Sequence, residues 1–268
     1  MSRPGRIGVA ATAPFGADVL ERLAAGREIA WLLTRPDSPQ GRGRRVAPPP
    51  AKVVAERLGI PVRQLKRLTA DLDADADTIV VAAYGLLIPE ALLEQTLWLN
   101  VHPSLLPRWR GAAPVERAIM AGDSETGVTI HRTTKELDAG PIAAQRAFAI
   151  GPEEDAGGVY TRAAEVAVDL LDEVLAGASE WTQQPAAGAT YAEKIRAVDR
   201  DIDWSRPVEE LARQVRALSP HIGARAKLHD RPVTIWRARV VDARLEPVEV
   251  QPDGRRRMTY AEFLRGLK

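Results

Sequence analysis

The chain has 268 residues, of which 45% are hydrophobic and 27% charged, and it contains no cysteine. This is the composition of a globular protein long enough to bury a large core, which excludes a disordered chain. The lack of cysteine excludes disulfides, thiol nucleophiles, iron–sulfur clusters and cysteine-ligated zinc. The formal net charge of +1 is uninformative for the whole chain, so we counted the charged residues of its segments separately.

The division shows two basic segments in an otherwise acidic chain. Residues 35–67 hold nine Lys and Arg against two acidic residues, and residues 204–268 hold 14 Lys and Arg against 8 acidic ones. Such asymmetry is typical of proteins that contact a polyanion. Arginine-rich loops that are merely solvated give the same pattern, so charge alone leaves both interpretations open.

The first 30 residues lack the basic-then-apolar pattern of a signal peptide. The longest apolar runs are far shorter than a membrane span. We therefore expect a cytoplasmic protein that makes no membrane contact.

Strand and helix patterns alternate over the first two thirds of the chain. We predict strands at Arg6–Thr12, Glu28–Thr34, Asp77–Ala83, Leu97–His102, Thr126–Thr133 and Pro141–Ile150. The spacing of apolar residues predicts helices at Gly16–Ala25, Ala51–Leu58, Pro89–Gln95, Pro114–Ala121 and Ala156–Ala176. Proline and glycine make Arg35–Pro50 a predicted loop, and the alternation in Thr126–Thr133 predicts an exposed strand. This order indicates an α/β domain with a mostly parallel sheet.

The remaining third has a different character. Residues 178–203 are rich in Gln, Pro, Ala and Gly, which is typical of a linker. A predicted helix at Pro207–Leu218 is followed by about three short strands, at Ala224–Leu228, Pro232–Val241 and Glu246–Val250, and by a final helix at Thr259–Leu267. We therefore predict a domain over residues 1–180, a linker over 181–203 and a small β-rich domain over 204–268.

The most informative polar residues cluster at the end of one predicted strand. Asn100 and His102 alternate on Leu97–His102, so their side chains point to the same face at its carboxyl end. Open α/β sheets build ligand sites at that edge. An amide can donate to an oxyanion, an imidazole can transfer a proton, and Asp138 in the turn LDAG could orient that imidazole. The same spacing also fits an ordinary polar strand end followed by an Asp turn.

Other kinds of site lack their signatures. The chain has no Gly-x-Ser-x-Gly elbow, no Walker A motif and no Gly-x-Gly-x-x-Gly after its first strand. Its four histidines lack paired metal spacing, so we expect no metal, and we expect His131 to pack beside the site rather than to catalyse. The segment GRGRR places Arg42, Arg44 and Arg45 on one loop, which suits phosphate contact but also fits a solvated surface loop.

Longer motifs run in order along most of the chain. They are TRPDSPQGRGRRVAPPP (34–50), VVAAYGLLIP (80–89), NVHPSLLPRWRGAAP (100–114), LDAGPI (137–142) and, in the tail, ATYAEKI, IDWSRP and QPDGRRRM. Together they resemble the 10-formyltetrahydrofolate-dependent formyltransferases, in the branch that acts on methionyl-tRNA. The resemblance implies a doubly wound, Rossmann-like catalytic domain followed by a small β-barrel of oligonucleotide-binding type.

The resemblance also implies a reaction and a set of site residues. The formyl group of 10-formyltetrahydrofolate, used as co-substrate without a metal, would pass to the α-amine of methionyl initiator tRNA in a monomeric enzyme. Asn100, His102 and Asp138 match the catalytic positions. The residues implied for folate binding are Ser104, Leu105, Leu106, Pro107, Tyr84, Gly85, Leu86 and Ile88, and those for tRNA binding are Arg42, Arg44 and Arg45.

This match gives the polar residues specific roles. Asn100 and a protonated His102 would donate to the oxyanion of a tetrahedral intermediate. Asp138 would hold His102 charged and help to receive the amine proton.

The chain departs from the family pattern in two places. The first loop reads Ala11-Thr12-Ala13-Pro14 where the family has Gly-Thr-Pro, and only residues 237–250 separate Trp236 from Gln251 where the family has several more strands. The second departure implies an incomplete barrel. Two alternatives therefore stay open: a formyltransferase acting on a small amine such as an amino sugar nucleotide, and a module that binds RNA or folate without turnover.

Overall fold

The structure, a computed structural model, describes residues 5–40, 45–177 and 180–267. The chain divides into two compact units. The first contains residues 1–110, 127–147 and 161–189, and the second contains residues 111–126, 148–160 and 190–268. The boundaries that we predicted at residues 180 and 203 stay predictions.

The described residues form 15 strands, seven α-helices and one 3₁₀ turn. The first half contains β1 (Ile7–Ala11), α1 (Pro14–Gly26), β2 (Ile29–Thr34), β3 (Ser38–Gln40), β4 (Arg45–Ala47), α2 (Pro50–Arg57), β5 (Val62–Gln64), β6 (Thr78–Ala82), α3 (Glu90–Gln95), β7 (Leu97–His102), β8 (Arg110–Gly111) and α4 (Pro114–Ala121). The second half contains β9 (Glu125–Arg132), β10 (Ile142–Ala149), α5 (Ala156–Leu175), β11 (Tyr191–Ala192), a 3₁₀ turn (Val198–Arg200), α6 (Val208–Leu218), β12 (Ala224–Leu228), β13 (Arg231–Val241), β14 (Arg244–Pro252), β15 (Met258–Thr259) and α7 (Tyr260–Arg265).

The first unit is built on a seven-stranded sheet with the order β10-β9-β7-β6-β1-β2-β5. Neighbouring strands from β7 to β5 pair in parallel, and β9 pairs antiparallel with β7. Central strands of such a sheet are covered on both faces, which is why β1, β2 and β6 are almost continuously apolar. The predicted α/β class with a mostly parallel sheet is confirmed.

Helix α1 packs unusually close to the sheet at Gly16. A Cβ at this position would overlap the backbone oxygen of Ala82, at the end of β6. Only glycine lets the helix approach the strand this closely. The approach fixes α1 beside the carboxyl ends of the central strands.

Two local predictions for the first unit are wrong. The predicted loop Arg35–Pro50 contains the hairpin of β3 and β4, and β5 was not predicted. The strand predicted as exposed, Thr126–Thr133, is buried from residue 126 to residue 131, because β9 lies inside the sheet between β7 and β10. The polar residues that give this strand its alternating apolar and polar pattern, such as Thr129 and His131, are themselves buried.

The second unit contains a four-stranded sheet with the order β12-β13-β14-β15. All of its pairs are antiparallel, and its buried core draws on α6, the sheet and Phe263 of α7. The small β-rich tail domain is therefore confirmed, but the expected count of three strands is wrong. The fourth strand, β15, has two residues and exists through its pairing with β14, so no sequence pattern marks it.

A tight hairpin joins the two longest strands of this sheet. Val241 pairs with Arg244, and the two residues between them, Asp242 and Ala243, both have positive φ. This is the backbone that a two-residue hairpin turn requires. The outer edge of β12 is partly covered, since Ile202 donates a backbone hydrogen bond to Arg225 (2.8 Å). The short tail thus forms a closed hairpin where the family resemblance implies further strands.

None of the helices within residues 5–40, 45–177 and 180–267 combines the length and the apolar character that crossing a bilayer requires.

Candidate active site

The polar cluster predicted from the sequence lies at the carboxyl end of β7. Asn100 is half-buried and His102 is 4% exposed, and the alternation of the strand points both side chains to the same face. On one side β7 pairs with β6, and on the other side β9 places His131 directly opposite Asn100. The neighbouring strands therefore form the walls of the cluster.

Asp138 reaches the cluster from the loop between β9 and β10. Its Oδ1 accepts a hydrogen bond from Asn100 Nδ2 (3.0 Å), and its Oδ2 lies 3.7 Å from His102 Nδ1. The loop lies tightly against the end of β9, because a Cβ at Gly140 would overlap the backbone oxygen of Arg132. The structure thus brings together all three residues predicted as catalytic.

His131 contributes more than the packing that we expected of it. Its Nδ1 lies 3.0 Å from the Arg132 carbonyl oxygen, which can only accept, so Nδ1 carries the proton. Its Nε2 then accepts from Asn100 Nδ2 (3.0 Å). Both N–H bonds of the Asn100 amide are therefore engaged, one with His131 and one with Asp138. The feature that indicates this role is the position of His131 on β9, the strand that pairs with β7.

The ring of His102 is held by the backbone of the following loop. Its Nε2–H donates to the carbonyl oxygen of Trp109 (2.8 Å), a residue with φ of 63°. Burial lowers the pKa of His102, and this effect outweighs the opposing influence of Asp138 and the Trp109 carbonyl. Burial therefore opposes the protonated imidazole that we expected. Its Nδ1, which faces Asp138, is the atom free to take up a proton.

The loop after β7 contains four of the residues predicted to bind folate. Ser104 is buried, its hydroxyl donates to the Arg108 carbonyl (2.7 Å), and its carbonyl accepts from Thr129 Oγ1 (2.7 Å). Leu106 is also buried, and its carbonyl accepts from Gln145 Nε2 (3.0 Å). These contacts make Ser104 and Leu106 supports of the loop.

The other two residues of this loop that were predicted to bind folate are more accessible to solvent. Leu105 and Pro107 are half-buried, and a Cβ at Gly127 would overlap the Leu105 side chain. Close packing against β9 therefore fixes Leu105, while both side chains keep part of their surface accessible.

The other residues predicted to bind folate follow β6. Gly85 is exposed with φ of 77°, and the half-buried Leu86 and Ile88 pack against a core cluster that includes Tyr84 and Trp98. The Tyr84 hydroxyl is buried and has no hydrogen-bond partner in the part of the chain that the structure describes. Burial raises the pKa of Tyr84 above its usual range. Tyr84 is thus a core residue, and the accessible surface here belongs to Gly85, Leu86 and Ile88.

We expect Tyr84→Phe to raise the free energy of unfolding by about 1 kcal/mol, because it removes an unpaired buried hydroxyl. Urea denaturation of the two proteins measures the difference, and folate binding is the control. A loss of stability in Tyr84→Phe would show that the hydroxyl has a partner in solution.

Of the arginines predicted to bind tRNA, the structure describes only Arg45. Arg42 and Arg44 lie outside the described residues, and Arg45 is exposed at the start of β4. Among the described residues, no group of three or more His, Asp or Glu side chains is arranged to hold a metal ion.

Comparison with known proteins adds to this geometry. The family model described as "Formyl transferase" matches residues 7–175, and "Formyl transferase, C-terminal domain" matches residues 194–247. A methionyl-tRNA formyltransferase of Aromatoleum aromaticum is 41% identical over 299 aligned residues, covering 98% of this chain and 95% of that protein.

Two solved structures share the fold. Methionyl-tRNA formyltransferase from Clostridium thermocellum gives a TM-score of 0.68 at 17% identity, covering 92% of this chain and 98% of that one. An N-formyltransferase from Helicobacter canadensis, in complex with folinic acid and dTDP-3-aminofucose, gives a TM-score of 0.68 at 16% identity, covering 95% and 98%. At these identities the likeness shows the fold alone.

Proposed function

The chain belongs to the formyl transferase family, and from this membership we propose that it transfers the formyl group of 10-formyltetrahydrofolate to the α-amine of methionyl initiator tRNA. The observation that carries the proposal is the identity of 41% to a methionyl-tRNA formyltransferase over nearly the whole of both chains. The cluster of Asn100, His102 and Asp138 supplies side chains suited to that reaction.

The reaction needs a neutral amine, an acceptor for its proton and a donor for the developing oxyanion. An α-amine has a reference pKa near 8, so a useful fraction is neutral at pH 7. When bound, 10-formyltetrahydrofolate supplies the formyl group and its nitrogen is the leaving group. The attack gives a tetrahedral oxyanion, and the protein groups that stabilise it set much of the rate.

His102 acts as the proton acceptor. Its lowered pKa keeps the imidazole neutral before reaction, and Nδ1 takes the proton as the amine attacks. The imidazolium then forms 3.7 Å from the Asp138 carboxylate, whose charge stabilises it. His102 afterwards returns the proton to the leaving nitrogen, so the enzyme ends the cycle unchanged.

Asn100 acts as the oxyanion donor. In the free protein one N–H of its amide bonds to Asp138, and the other bonds to His131. During the reaction the first N–H exchanges Asp138 Oδ1 for the oxyanion, while Asp138 Oδ2 stays beside the imidazolium. His131 keeps its own hydrogen bond, so the amide stays oriented while its partner changes.

The side chains around the cluster are of the type that binds a folate. Leu86, Ile88, Leu105 and Pro107 are half-buried apolar side chains that follow the neighbouring strands β6 and β7. Ligand sites for flat, largely apolar groups are lined in this way. We assign the pterin ring to these side chains and to the backbone at Gly85, with no metal involved.

The RNA is assigned to the basic segments. Arg45, with Arg42 and Arg44, would contact phosphates of the initiator tRNA, and such contacts weaken steeply with salt. We propose that the protein acts as a monomer. It would work in the cytoplasm, where charged initiator tRNA is used.

The test is a formyl-transfer assay with three acceptors at equal concentration. We expect transfer to charged initiator tRNA, at least tenfold less to charged elongator methionyl-tRNA, and none to a dTDP-linked amino sugar. Radiolabelled formyl groups measure all three products. Transfer to the amino sugar alone would establish the small-amine alternative. Folate binding with no transfer to any acceptor would favour a binding module.

A further inference from the structure

Gln184 belongs to the segment between the two matched family regions, yet its side chain reaches the loop that holds Asp138. Its Nε2 donates to the backbone oxygens of Asp138 (2.8 Å) and Gly140 (2.9 Å). Its Oε1 accepts from Arg110, through Nε (3.1 Å) and Nη2 (2.7 Å). Every heteroatom of this side chain is therefore engaged, although we predicted the segment to be a linker.

The partners fix the orientation of the Gln184 amide. Carbonyl oxygens can only accept and a guanidinium can only donate, so the amide nitrogen must face the Asp138 loop and the oxygen must face Arg110. No other uncharged side chain of this length presents both a donor and an acceptor. Glutamate would keep the acceptor for Arg110 and lose the donor for both carbonyls. The site thus distinguishes glutamine from its closest analogues.

The loop that receives these bonds has an uncommon backbone conformation. Asp138 has φ of 48°, in the left-handed region that is uncommon outside glycine, although Asp enters it more readily than most residues. Such a conformation persists only where its surroundings hold it. Two backbone hydrogen bonds between Ile142 and Thr182 (2.8 and 2.9 Å) bring the segment beside the loop, and Gln184 then binds the loop directly.

The geometry of Asp138 is sensitive to small displacements. Its two carboxylate oxygens serve different partners, with Asn100 Nδ2 at 3.0 Å and His102 Nδ1 at 3.7 Å. A shift of about 1 Å in a reacting group can reduce a rate about 100-fold. A residue that holds the backbone of Asp138 therefore acts on the proposed chemistry without touching substrate.

We propose that Gln184 is a positioning residue of the active site, which holds Asp138 at the distance that lets it serve both Asn100 and His102. The inference rests on the proposed function, since it assigns Gln184 a role through Asp138. It places one determinant of catalysis in the segment that follows the matched formyl transferase region, residues 7–175.

The experiment compares three variants of the full chain with the wild type. Gln184→Leu removes donor and acceptor, Gln184→Glu removes only the donor, and Gln183→Leu is the matched control, because Gln183 is adjacent and exposed. We expect both Gln184 variants to lower kcat by about 10- to 100-fold, with KM for each substrate within about twofold of wild type. Gln183→Leu should leave both constants unchanged.

A pH profile separates positioning from a general loss of structure. The charge of Asp138 raises the pKa of His102, so displacing it should move the acidic limb of kcat/KM to lower pH in both Gln184 variants. If Gln184→Glu retains wild-type kcat and pH profile, the bond to Arg110 is what matters and the inference is overturned. Unchanged kinetics in Gln184→Leu would overturn it as well. Should Gln184→Leu fail to fold, as judged by circular dichroism, Gln184→Glu alone decides.

The two proposals fail in different ways. If the wild type transfers formyl groups to no acceptor, the proposed function fails before any variant is compared. If the wild type is active and the Gln184 variants match Gln183→Leu, only the positioning role is lost.

Discussion

Asn100→Ala is expected to lower kcat for formyl transfer by about 10²–10³-fold, which is the usual effect of removing one donor to an oxyanion. Alanine leaves no N–H for the oxyanion, and it also frees His131 Nε2 and Asp138 Oδ1 from their present partner. The KM for 10-formyltetrahydrofolate should change little, because the amide acts on a charge that develops only during reaction. Steady-state kinetics with charged initiator tRNA measure both constants.

Thr133→Val is the matched control for this variant. Thr133 directly follows β9, the strand that carries His131, and its buried hydroxyl has no hydrogen-bond partner among the described residues. Valine has a similar shape and removes no hydrogen bond to a described residue, so kcat should stay within about twofold of wild type. A kcat of Asn100→Ala equal to that of Thr133→Val would remove Asn100 from the mechanism. A direct measurement of folate affinity shows whether any loss of activity in Asn100→Ala comes from weaker binding.

Elements whose signal is local were predicted well from the sequence. β7 and α4 have the bounds that we predicted, because an apolar run ends at His102 and a proline starts the helix at residue 114. β3, β4, β5 and β15 have two or three residues each, too few to show a period. Such strands exist only through their partners, and strand pairing cannot be obtained from the pattern of one segment.

The same distinction applies to the site. Asn100 and His102 could be placed together because they share one strand. Gln184 was missed, and His131 was expected only to pack beside the site, since their contacts join segments 46 and 31 residues apart. The lowered pKa of His102 was also not anticipated, because burial causes it and the sequence does not show how deeply a strand end is buried.

The structure changes how the excess of basic residues in the two basic segments is interpreted. Residues 35–67 carry an excess of cations, but several are paired: Lys52 lies 2.9 Å from Asp37, and Arg57 lies 2.8 Å from Glu21. In the tail, Arg239 pairs with Glu246 (3.0 Å). The positive charge available to a polyanion is therefore smaller than the count. Arg45, which is exposed, is the described member of the predicted RNA contact.

Asp138→Asn is expected to have the largest effect, lowering kcat by about 10²–10⁴-fold, because it disables the proton transfer assigned to His102. Asparagine keeps the size of the side chain and removes its charge. The imidazolium that forms at Nδ1 then loses the carboxylate 3.7 Å away, so the proton is held less firmly in the transition state.

The pH dependence gives this variant a signature of its own. In the free enzyme His102 must be neutral to accept a proton, so its pKa sets the acidic limb of kcat/KM. Burial lowers that pKa and Asp138 opposes the effect, hence removing the charge lowers the pKa further. The acidic limb of Asp138→Asn should therefore lie at lower pH than that of the wild type.

Glu136→Gln is the control, since it removes the same charge from an exposed side chain two residues away in the loop. Its rate and pH profile should match those of the wild type, because an exposed carboxylate is screened by solvent and faces no part of His102. An acidic limb that moves equally in both variants would mean that the net charge of the loop, rather than the carboxylate beside Nδ1, tunes His102. A limb that moves in Asp138→Asn alone assigns the effect to the pair of His102 and Asp138.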